Sequence, residues 1–327
     1  MNFPVLLTGA SGFVGGHLAQ ALLRRKEKIK LLVRSTSRLP FKPGASVELC
    51  EGDVTDRASV EKAMKGVRTV YHLAGLLRGA DYAHYEKVNA QGTRNVCEAF
   101  ARQKNKKRLV YVSSLSAAGP SPKGGALTED DEPHPVSFYG RTKLAGERIV
   151  RSFGSKIPAT ILRPGAVYGP REKDVLEYFK MVKAGWVLIP GDVGLKVSFV
   201  YVDDLVQAIL AAGRSPRARG ETFFVSDGQS YTWVEYSAVI AKALGRSFRV
   251  VRVPMPLVQA AAYLADFKAR LTGRASIVST DKIKEAPGPG WVCSNAKIVR
   301  KLGFRPRYDI GRGVQKSVDF YLKAGWI

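Results

Sequence analysis

Tyr139 and Lys143 lie four residues apart in the segment Ser137-Phe-Tyr-Gly-Arg-Thr-Lys143. Four residues make about one helical turn, so on a helix the two side chains share a face. A free tyrosine has a pKa of about 10 and is a poor base at neutral pH, but an adjacent ammonium favours the phenolate. We therefore expect Lys143 to lower the pKa of Tyr139 and to make it a working acid or base. Surface helices often carry the same spacing, so the prediction depends on partner motifs.

The segment Thr8-Gly-Ala-Ser-Gly-Phe-Val-Gly15 follows the apolar run Val5-Leu-Leu7 and opens a helical pattern. In such a turn one glycine permits the tight bend, the next lets the backbone approach a diphosphate, and the last lets helix and strand pack closely. The diphosphate would meet the N–H groups at the positive end of the helix. The turn therefore predicts dinucleotide binding by Gly9, Ser11, Gly12, Phe13, Val14 and Gly15.

Apolar β-branched runs alternate with helical patterns through residues 1–164. Strands are predicted at Val5–Leu7, Ile29–Val33, Val47–Cys50, Thr69–His72, Leu109–Val112 and Ala159–Leu162, and helices at His17–Lys26, Ser59–Lys65, Tyr85–Gln103 and Phe138–Ser152. Continuous apolar strands between helices predict a parallel sheet covered on both faces. With right-handed crossovers this is an α/β, doubly wound Rossmann fold.

The pattern is less regular after Pro164. We interpret residues 1–164 as a dinucleotide-binding core, to which segments near 195–227 return. Residues 165–327 then form most of a smaller C-terminal α/β lobe for the substrate. Within this part, residues Val197–Tyr201 are predicted as one strand, Asp203–Ala212 as a helix capped by Asp203, and Thr232–Leu244 as a helix ended by Gly245.

The composition suits a soluble globular chain of 327 residues, 45% hydrophobic and 24% charged. No secretory signal and no apolar run of bilayer length is apparent, and the longest uncharged apolar run lies around residues 253–265. Three cysteines and four histidines show no metal-ligand spacing, so we expect no metal and a reducing cytoplasm. The formal charge of +24 is dispersed, which favours a solvated surface over an anionic ligand, and an anionic ligand over nucleic acid or membrane.

Taken in order, the motifs resemble the extended short-chain dehydrogenase/reductase superfamily, in its NAD(P)-dependent epimerase/dehydratase group. The resemblance covers nearly the whole chain. Beyond the two segments above, it rests on Gly52-Asp-Val-Thr-Asp56, His72-Leu-Ala-Gly75, Val88-Asn-Ala-Gln-Gly-Thr-Arg-Asn95, Val112-Ser-Ser-Leu-Ser-Ala-Ala-Gly-Pro120, Leu162-Arg-Pro-Gly-Ala-Val-Tyr-Gly-Pro170 and Phe199-Val-Tyr-Val-Asp-Asp-Leu205.

The resemblance implies a role for each matched position. Asp53 and Val54 would hold the adenine; Leu73, Ala74 and Gly75 the adenosine ribose; and Val112, Pro164, Gly165 and Val167 the nicotinamide end, together with Tyr139 and Lys143. Ser114, preferred to Ser113 and Ser116, would stabilise charge on the substrate oxygen. Asn89 is expected either to take part in catalysis or to serve only as a buried hydrogen-bonding group.

The choice of dinucleotide depends on the end of the second predicted strand. This strand ends at Arg34-Ser35, and Arg38 follows. It has no acidic residue there to bind the ribose hydroxyls of NAD. Arginine suits a 2′-phosphate, so Arg34, Ser35 and Arg38 favour NADP over NAD. The alternative is that Arg34 only stacks on the adenine.

Several functions remain open. The first is an oxidoreductase or epimerase acting at a secondary alcohol or ketone, on a sugar nucleotide or on an apolar, sterol- or flavonol-like alcohol. The phrase Ser113-Ser-Leu-Ser116 looks more like the branch of the 3β-hydroxysteroid dehydrogenases and dihydroflavonol reductases, and it lacks the acidic pair of a 4,6-dehydratase. A catalytically idle sensor or assembly protein is the alternative.

The sequence also gives two expectations about contacts, one between subunits and one made by an apolar stretch near residue 260. The resemblance implies a homodimer paired through helices 85–103 and 138–152. A stretch from Leu257 to Leu271 could lie on a membrane, although packing on the body as a lid is the favoured interpretation.

Overall fold

The computed structural model describes residues 4–35, 39–272, 279–286 and 288–327, without the side chains of residues 269–272. Arg38 lies outside the described residues. In chain order the strands are β1 (Val5–Thr8), β2 (Ile29–Val33), β3 (Val47–Glu51), β4 (Thr69–His72), β5 (Arg108–Val112), β6 (Ala159–Pro164), β7 (Ala166–Tyr168), β8 (Trp186–Pro190), β9 (Lys196–Val197), β10 (Phe199–Tyr201), β11 (Thr222–Val225), β12 (Tyr231–Thr232) and β13 (Arg249–Val253). The α-helices are α1 (Phe13–Arg24), α2 (Arg57–Met64), α3 (Tyr82–Glu86), α4 (Gly92–Ala101), α5 (Phe138–Ser152), α6 (Leu176–Lys183), α7 (Val202–Arg214), α8 (Trp233–Leu244), α9 (Met255–Thr272), α10 (Ala296–Leu302) and α11 (Ile310–Lys323).

Seven parallel strands form the main sheet, in the order β11-β6-β5-β4-β1-β2-β3. The predicted doubly wound Rossmann fold is confirmed. The register places Thr8 at the end of β1 beside His72 at the end of β4. Because all strands run the same way, their carboxyl ends meet at one edge, where ligands bind in such sheets.

Apolar side chains cover the sheet on both faces, which explains the continuous apolar strands. Leu18 of α1 and Ile209 of α7 belong to the core on one face. Val60 of α2, Phe100 of α4 and Val150 of α5 belong to the core on the other. Burial on both sides leaves only the edge strand β3 with residues exposed to solvent.

The second half of the chain builds a separate core rich in aromatic rings, between α6, α8, α11 and short strand pairs. Phe199 and Tyr236 stack with ring centroids 4.6 Å apart. Helix α8 begins at a capping box formed by Thr232 and Glu235. Its end at the left-handed Gly245 is as predicted. Strand β11 pairs with β6 and so belongs to the main sheet.

Three local predictions are wrong. Residues 85–103 are not one regular α-helix, because a π-helical turn over Lys87–Gln91 joins α3 to α4. Residues 197–201 are divided at Ser198, where β9 pairs with β12 and β10 with β7. Asp203 does not cap α7: the helix starts at Val202 directly after β10, and its N-cap Tyr201 makes no side-chain capping bond.

Asp203 instead lies in the first turn of α7, where its carboxylate is 3.4 Å from His17 Nδ1. A negative charge still suits that end of the helix dipole. Within the described part of the chain, no helix is both long enough and apolar enough to cross a bilayer.

Candidate active site

Helix α5 carries both Tyr139 and Lys143. Its N-cap Ser137 accepts a hydrogen bond from the Gly140 N–H at 3.0 Å, which fixes where the helix begins. Lys143 is 3% exposed; its Nζ donates to the Val112 carbonyl oxygen at 2.7 Å and lies 4.3 Å from the centroid of the Tyr111 ring. The ammonium is therefore held against the end of β5.

Gly140 lets α5 approach the loop that follows β5. A Cβ on this residue would lie 2.3 Å from the Ser116 carbonyl oxygen, so no larger residue fits without a shift. This contact places the half-buried Tyr139 beside the loop, where the Ser114 side chain acts on its phenol and favours the phenolate. Ser114 Oγ also accepts from the Ser116 N–H at 3.1 Å. The structure thus brings Ser114, Tyr139 and Lys143 together at the end of β5.

The neighbouring Ser113 has a different environment. It is buried, and its hydroxyl donates to Glu147 at 2.6 Å. Glu147 forms a two-pronged ion pair with the buried Arg163, at 2.9 and 2.8 Å. Burial alone would raise the pKa of Glu147, but bonding to Arg163 and Ser113 holds that pKa below its ordinary value. Ser113 is therefore engaged in a buried ionic cluster, whereas Ser114 is partly open.

Burial sets the titration of the two helix groups. It raises the pKa of Tyr139 to about 12, and the neighbouring Ser114 side chain opposes the rise. It lowers the pKa of Lys143 to about 7, because the charged ammonium loses its hydration. The expected lowering of the Tyr139 pKa by Lys143 is therefore wrong for the protein groups by themselves: burial raises this pKa, and the group that acts against the rise is Ser114.

Asn89 lies in the π-helical turn, and its side chain is fully bonded. Oδ1 accepts from the Leu76 N–H at 2.7 Å, while Nδ2 donates to the Leu76 carbonyl and to Thr142 Oγ1, at 3.1 and 3.0 Å. Its backbone carbonyl accepts from Thr93 Oγ1 at 2.7 Å. This geometry fastens the loop after β4 to α5, and it leaves no side-chain atom of Asn89 unpaired.

The residue before the glycine turn continues this buried network. Thr8 Oγ1 lies 2.7 Å from His72 Nδ1, and His72 Nε2 lies 3.0 Å from Thr93 Oγ1. Burial lowers the pKa of His72 to about 3, so the ring is neutral at physiological pH. The Ala74 N–H donates to Thr8 Oγ1 at 3.1 Å, which ties the loop after β4 to the turn after β1.

The glycine turn fits a diphosphate. Gly9 has φ +79°, and a Cβ there would lie 2.7 Å from the Ala74 nitrogen; a Cβ on Gly15 would lie 2.0 Å from the Gly9 carbonyl oxygen. Helix α1 starts after Gly12 without a side-chain cap and without an acid in its first turn. Its first N–H groups, on Phe13, Val14 and their neighbours, are therefore available to an anion at the carboxyl edge of β1, where the exposed Ser11 also lies.

The predicted adenine residues follow β2 and β3. Arg34 is exposed, and its Nε lies 3.9 Å from Asp53 Oδ2; Ser35 follows it. Asp53 Oδ1 accepts from the Thr55 N–H at 2.8 Å, and the Val54 carbonyl accepts from Asn95 Nδ2 at 2.9 Å. The structure therefore brings Arg34 to Asp53.

The predicted nicotinamide residues lie at the ends of β6 and β7. Pro164 ends β6, and the Gly165 N–H donates to the Val225 carbonyl at 3.0 Å. A Cβ on Gly165 would lie 2.4 Å from the Ser198 carbonyl oxygen, so the glycine permits a close crossing. Val167 follows in β7, which starts the second half of the chain.

Comparison with known proteins agrees with this geometry. The model of the NAD dependent epimerase/dehydratase family matches residues 5–226. The chain belongs to this family. The expectation of an NAD(P)-dependent epimerase/dehydratase or dehydrogenase/reductase is thereby confirmed at the level of the family.

Individual relatives match along their whole length. A ceramide reductase of Caulobacter vibrioides is 30% identical over 323 residues, covering 99% of this chain and 96% of the relative. The N-acetyl-alpha-D-glucosaminyl-diphospho-ditrans,octacis-undecaprenol 4-epimerase of Escherichia coli O157:H7 is 27% identical, covering 98% and 96%. The solved UDP-glucose 4-epimerase of Thermus thermophilus, in complex with NAD, superposes with a TM-score of 0.79 at 25% identity, covering 98% and 99%.

Two acidic residues at the site of this family member are missing from the sequence prediction. The Phe138 N–H donates to Asp281 Oδ2 at 2.8 Å, and Ser137 Oγ donates to Glu285 Oε1 at 2.6 Å. Both acids belong to a short strap, residues 279–286, that crosses the start of α5. They lie more than 140 positions away in sequence and belong to no motif, so no local signal indicates them.

Glu147 was also not predicted. Its position four residues after Lys143 on the same helix could have indicated that the two side chains share a face. Among the residues that the structure describes, no group of three His, Cys, Asp or Glu side chains is placed to hold a metal ion.

Proposed function

We propose that this chain is an NAD(P)-dependent oxidoreductase or epimerase that acts at a secondary alcohol or ketone through Ser114, Tyr139 and Lys143. The observation that supports the proposal is that α5, packed on the loop after β5, brings Tyr139 beside the partly open Ser114, while Lys143 is held by the Val112 carbonyl. The glycine turn lies at the same edge of the sheet. Such a group of side chains has the composition of an acid–base site next to a dinucleotide.

Each protein group has a defined task in this proposal. Ser114 donates a hydrogen bond to the substrate oxygen and stabilises negative charge that develops there. Tyr139 gives its proton to that oxygen in reduction and takes it back in oxidation. Lys143 lies on the same helix face and contributes positive charge and an N–H donor for ribose hydroxyls. The nicotinamide, when bound, exchanges a hydride with the carbon that bears this oxygen.

The proposed cofactor is NADP rather than NAD. Arg34 is exposed at the end of β2 and its guanidinium is free to turn toward a 2′-phosphate, for which its planar fork is suited. The salt contact with Asp53 is long, at 3.9 Å, and is weak at an exposed position. We expect tighter binding of oxidised NADP than of NAD, and Arg34→Ala to weaken NADP by roughly tenfold while NAD changes little. Equal or tighter binding of NAD by the natural chain would contradict the preference.

We propose that the substrate is an alcohol or ketone with a large apolar part. Leu115 and Ser116 stand where a 4,6-dehydratase would carry acids, and the relatives from Caulobacter and Escherichia have a lipid in their names. A sugar nucleotide is the second candidate, supported by the similarity over the whole chain to a UDP-glucose 4-epimerase.

A substrate panel tests both the activity and the class. The enzyme with each dinucleotide is incubated with long-chain and sterol-like alcohols and ketones, and separately with UDP-sugars. Absorbance of the reduced nicotinamide reports net oxidation or reduction, and chromatography of the products detects epimers, which give no net change. We expect turnover of the apolar class, and Tyr139→Phe to lose it while still binding dinucleotide. Cofactor binding with no turnover of any class would instead indicate the idle sensor or assembly protein.

A further inference from the structure

Helix α9 exposes a continuous row of large apolar side chains. Leu257, Tyr263, Leu264 and Phe267 are each between 62% and 71% exposed. At 100° per residue these positions, with Ala260 and Ala261, fall on one side of the helix. Scattered exposed apolar residues are normal, but such a contiguous row marks an interaction surface.

The opposite side of α9 attaches it to the body. Ala262 is fully buried, Val258 and Ala265 are half-buried, and Asp266 accepts from the Thr280 N–H at 3.0 Å. Both sides of α9 are therefore mostly apolar, with Asp266 on the inner side and the exposed Lys268 on the outer side. Core packing accounts for the inner side only.

The sequence around this helix is basic. Residues 246–272 contain Arg246, Arg249, Arg252, Lys268 and Arg270, with Asp266 as the one acid, and Asp266 is occupied by Thr280. The side chains of Arg246, Arg249 and Arg252 are exposed and form no ion pair with any acid that the structure describes. Arg249 lies over the exposed Trp186 ring, at 5.6 Å, on the strand pair that leads into α9.

We propose that α9 lies flat on an anionic phospholipid bilayer, with its apolar row among the acyl chains and the flanking arginines at the phosphates. A helix of 18 residues is about 27 Å long, and its apolar outer side with basic neighbours is typical of an interfacial helix. A second copy of the chain is disfavoured as the occupant because it would bring two basic segments together, whereas lipid headgroups carry the opposite charge. This inference goes beyond the proposed function and does not depend on which substrate is used.

Co-sedimentation of the full chain with vesicles tests the proposal. The vesicles contain phosphatidylcholine with or without about 30 mol% phosphatidylglycerol. We expect binding to the anionic vesicles, weakened by salt, and at least about tenfold weaker partitioning of Leu264→Asp. The matched control is Leu322→Asp on α11, at a residue 53% exposed, which makes the same change of size and charge and is expected to bind like the natural chain. Melting temperatures check that both variants are folded.

Three outcomes would overturn the proposal. The natural chain does not sediment with anionic vesicles; Leu264→Asp sediments as well as Leu322→Asp; or the chain forms, without lipid, an oligomer that Leu264→Asp dissociates. A second measurement locates the contact: amide hydrogen exchange in α9 should slow when vesicles are added, and unchanged exchange there with slowing elsewhere would place the contact on another surface. Neither measurement uses turnover, so both results can be interpreted even if the proposed enzymatic activity is absent.

Discussion

Ser114 and Ser116 offer a matched test of the proposed chemistry, because they lie two positions apart on one loop. The Ser114 side chain acts on the Tyr139 phenol, whereas Ser116 makes its contacts through its backbone N–H and carbonyl. We expect Ser114→Ala to lower kcat by about 10²-fold and Ser116→Ala to lower it by less than about threefold. Turnover rates on the substrate found by the panel provide the measurement, and equal losses in the two variants would contradict the assignment.

Lys143 gives a stability prediction whose sign depends on pH. Its folded-state pKa is lowered to about 7, whereas the unfolded chain keeps the ordinary value near 10.5. Below pH 7 both states are protonated and the folded chain bears the full cost of a buried charge; between pH 7 and 10.5 the unfolded state binds more protons, so stability rises with pH. Lys143→Met removes this dependence.

We therefore expect the free energy of unfolding of Lys143→Met to exceed that of the natural chain most at pH 6–7, by on the order of 2 kcal/mol, and the difference to shrink toward pH 10. Urea unfolding without added cofactor measures it. A surface variant, Lys183→Met, supplies the control. A difference that is the same at all pH values would show that Lys143 is charged throughout.

For single residues, the sequence predicts relationships between positions that lie close together in the chain. Tyr139 and Lys143 follow from a spacing of four residues on one helix, and the glycine turn follows from its spacing after a strand. The preference for Ser114 came from resemblance, while the reason that Ser113 is engaged, its bond to Glu147, required the fold. Asp281 and Glu285 could not be found, because only the tertiary path of the strap brings them to α5.

Gly140 decides how helix α5 meets the loop after β5. Alanine has the higher helix propensity, by roughly 1 kcal/mol, but its Cβ would meet the Ser116 carbonyl oxygen at 2.3 Å. We expect Gly140→Ala to destabilise the chain by roughly 1–3 kcal/mol and to reduce turnover by moving Tyr139 away from Ser114.

The helical control for this variant is Gly311→Ala in α11, where an added Cβ would approach only the Asp309 side chain. We expect it to be neutral or mildly stabilising. Urea unfolding compares the stability of the two variants. If Gly140→Ala is as stable as Gly311→Ala, the loop after β5 can move away from α5 with no loss of unfolding free energy.

Elements were predicted well where a pattern repeats over many residues, as in α5 and the buried strands. They were predicted less well where one residue changes the geometry. The π-helical turn arises at Asn89, whose side chain bonds Leu76 in a neighbouring loop. The break at Ser198 arises because β9 and β10 pair with different strands. Neither cause is visible in the spacing of apolar residues.

The association of whole molecules remains a prediction. The helices expected to pair two subunits expose Arg94 on α4, and Arg141 and Arg148 on α5, none of which is ion-paired within the described residues. Pairing these surfaces brings like charges together, and salt screens that repulsion over about 10 Å at 0.1 M. We expect light scattering to approach twice 35.7 kDa as salt rises from about 0.05 to 0.5 M. A monomer mass at every salt concentration would contradict the expected homodimer.

At the scale of the whole chain, the main sheet was predictable because each strand and its helix are neighbours in sequence. The short strand pairs of the second half were harder to predict, since β8 pairs with β13 across some sixty residues. The apolar stretch from Leu257 was recognised, but the sequence could not tell which side of it faces the body.

The strap has one more consequence. Asp266 of α9 holds Thr280, the next residue is Asp281, and Asp281 holds the first N–H of the helix that carries Tyr139. Hydrogen bonds at Asp266 and at Asp281 therefore connect the outer helix to Phe138, the residue before Tyr139. We expect turnover to respond to contact with lipid, as in enzymes that are activated at an interface.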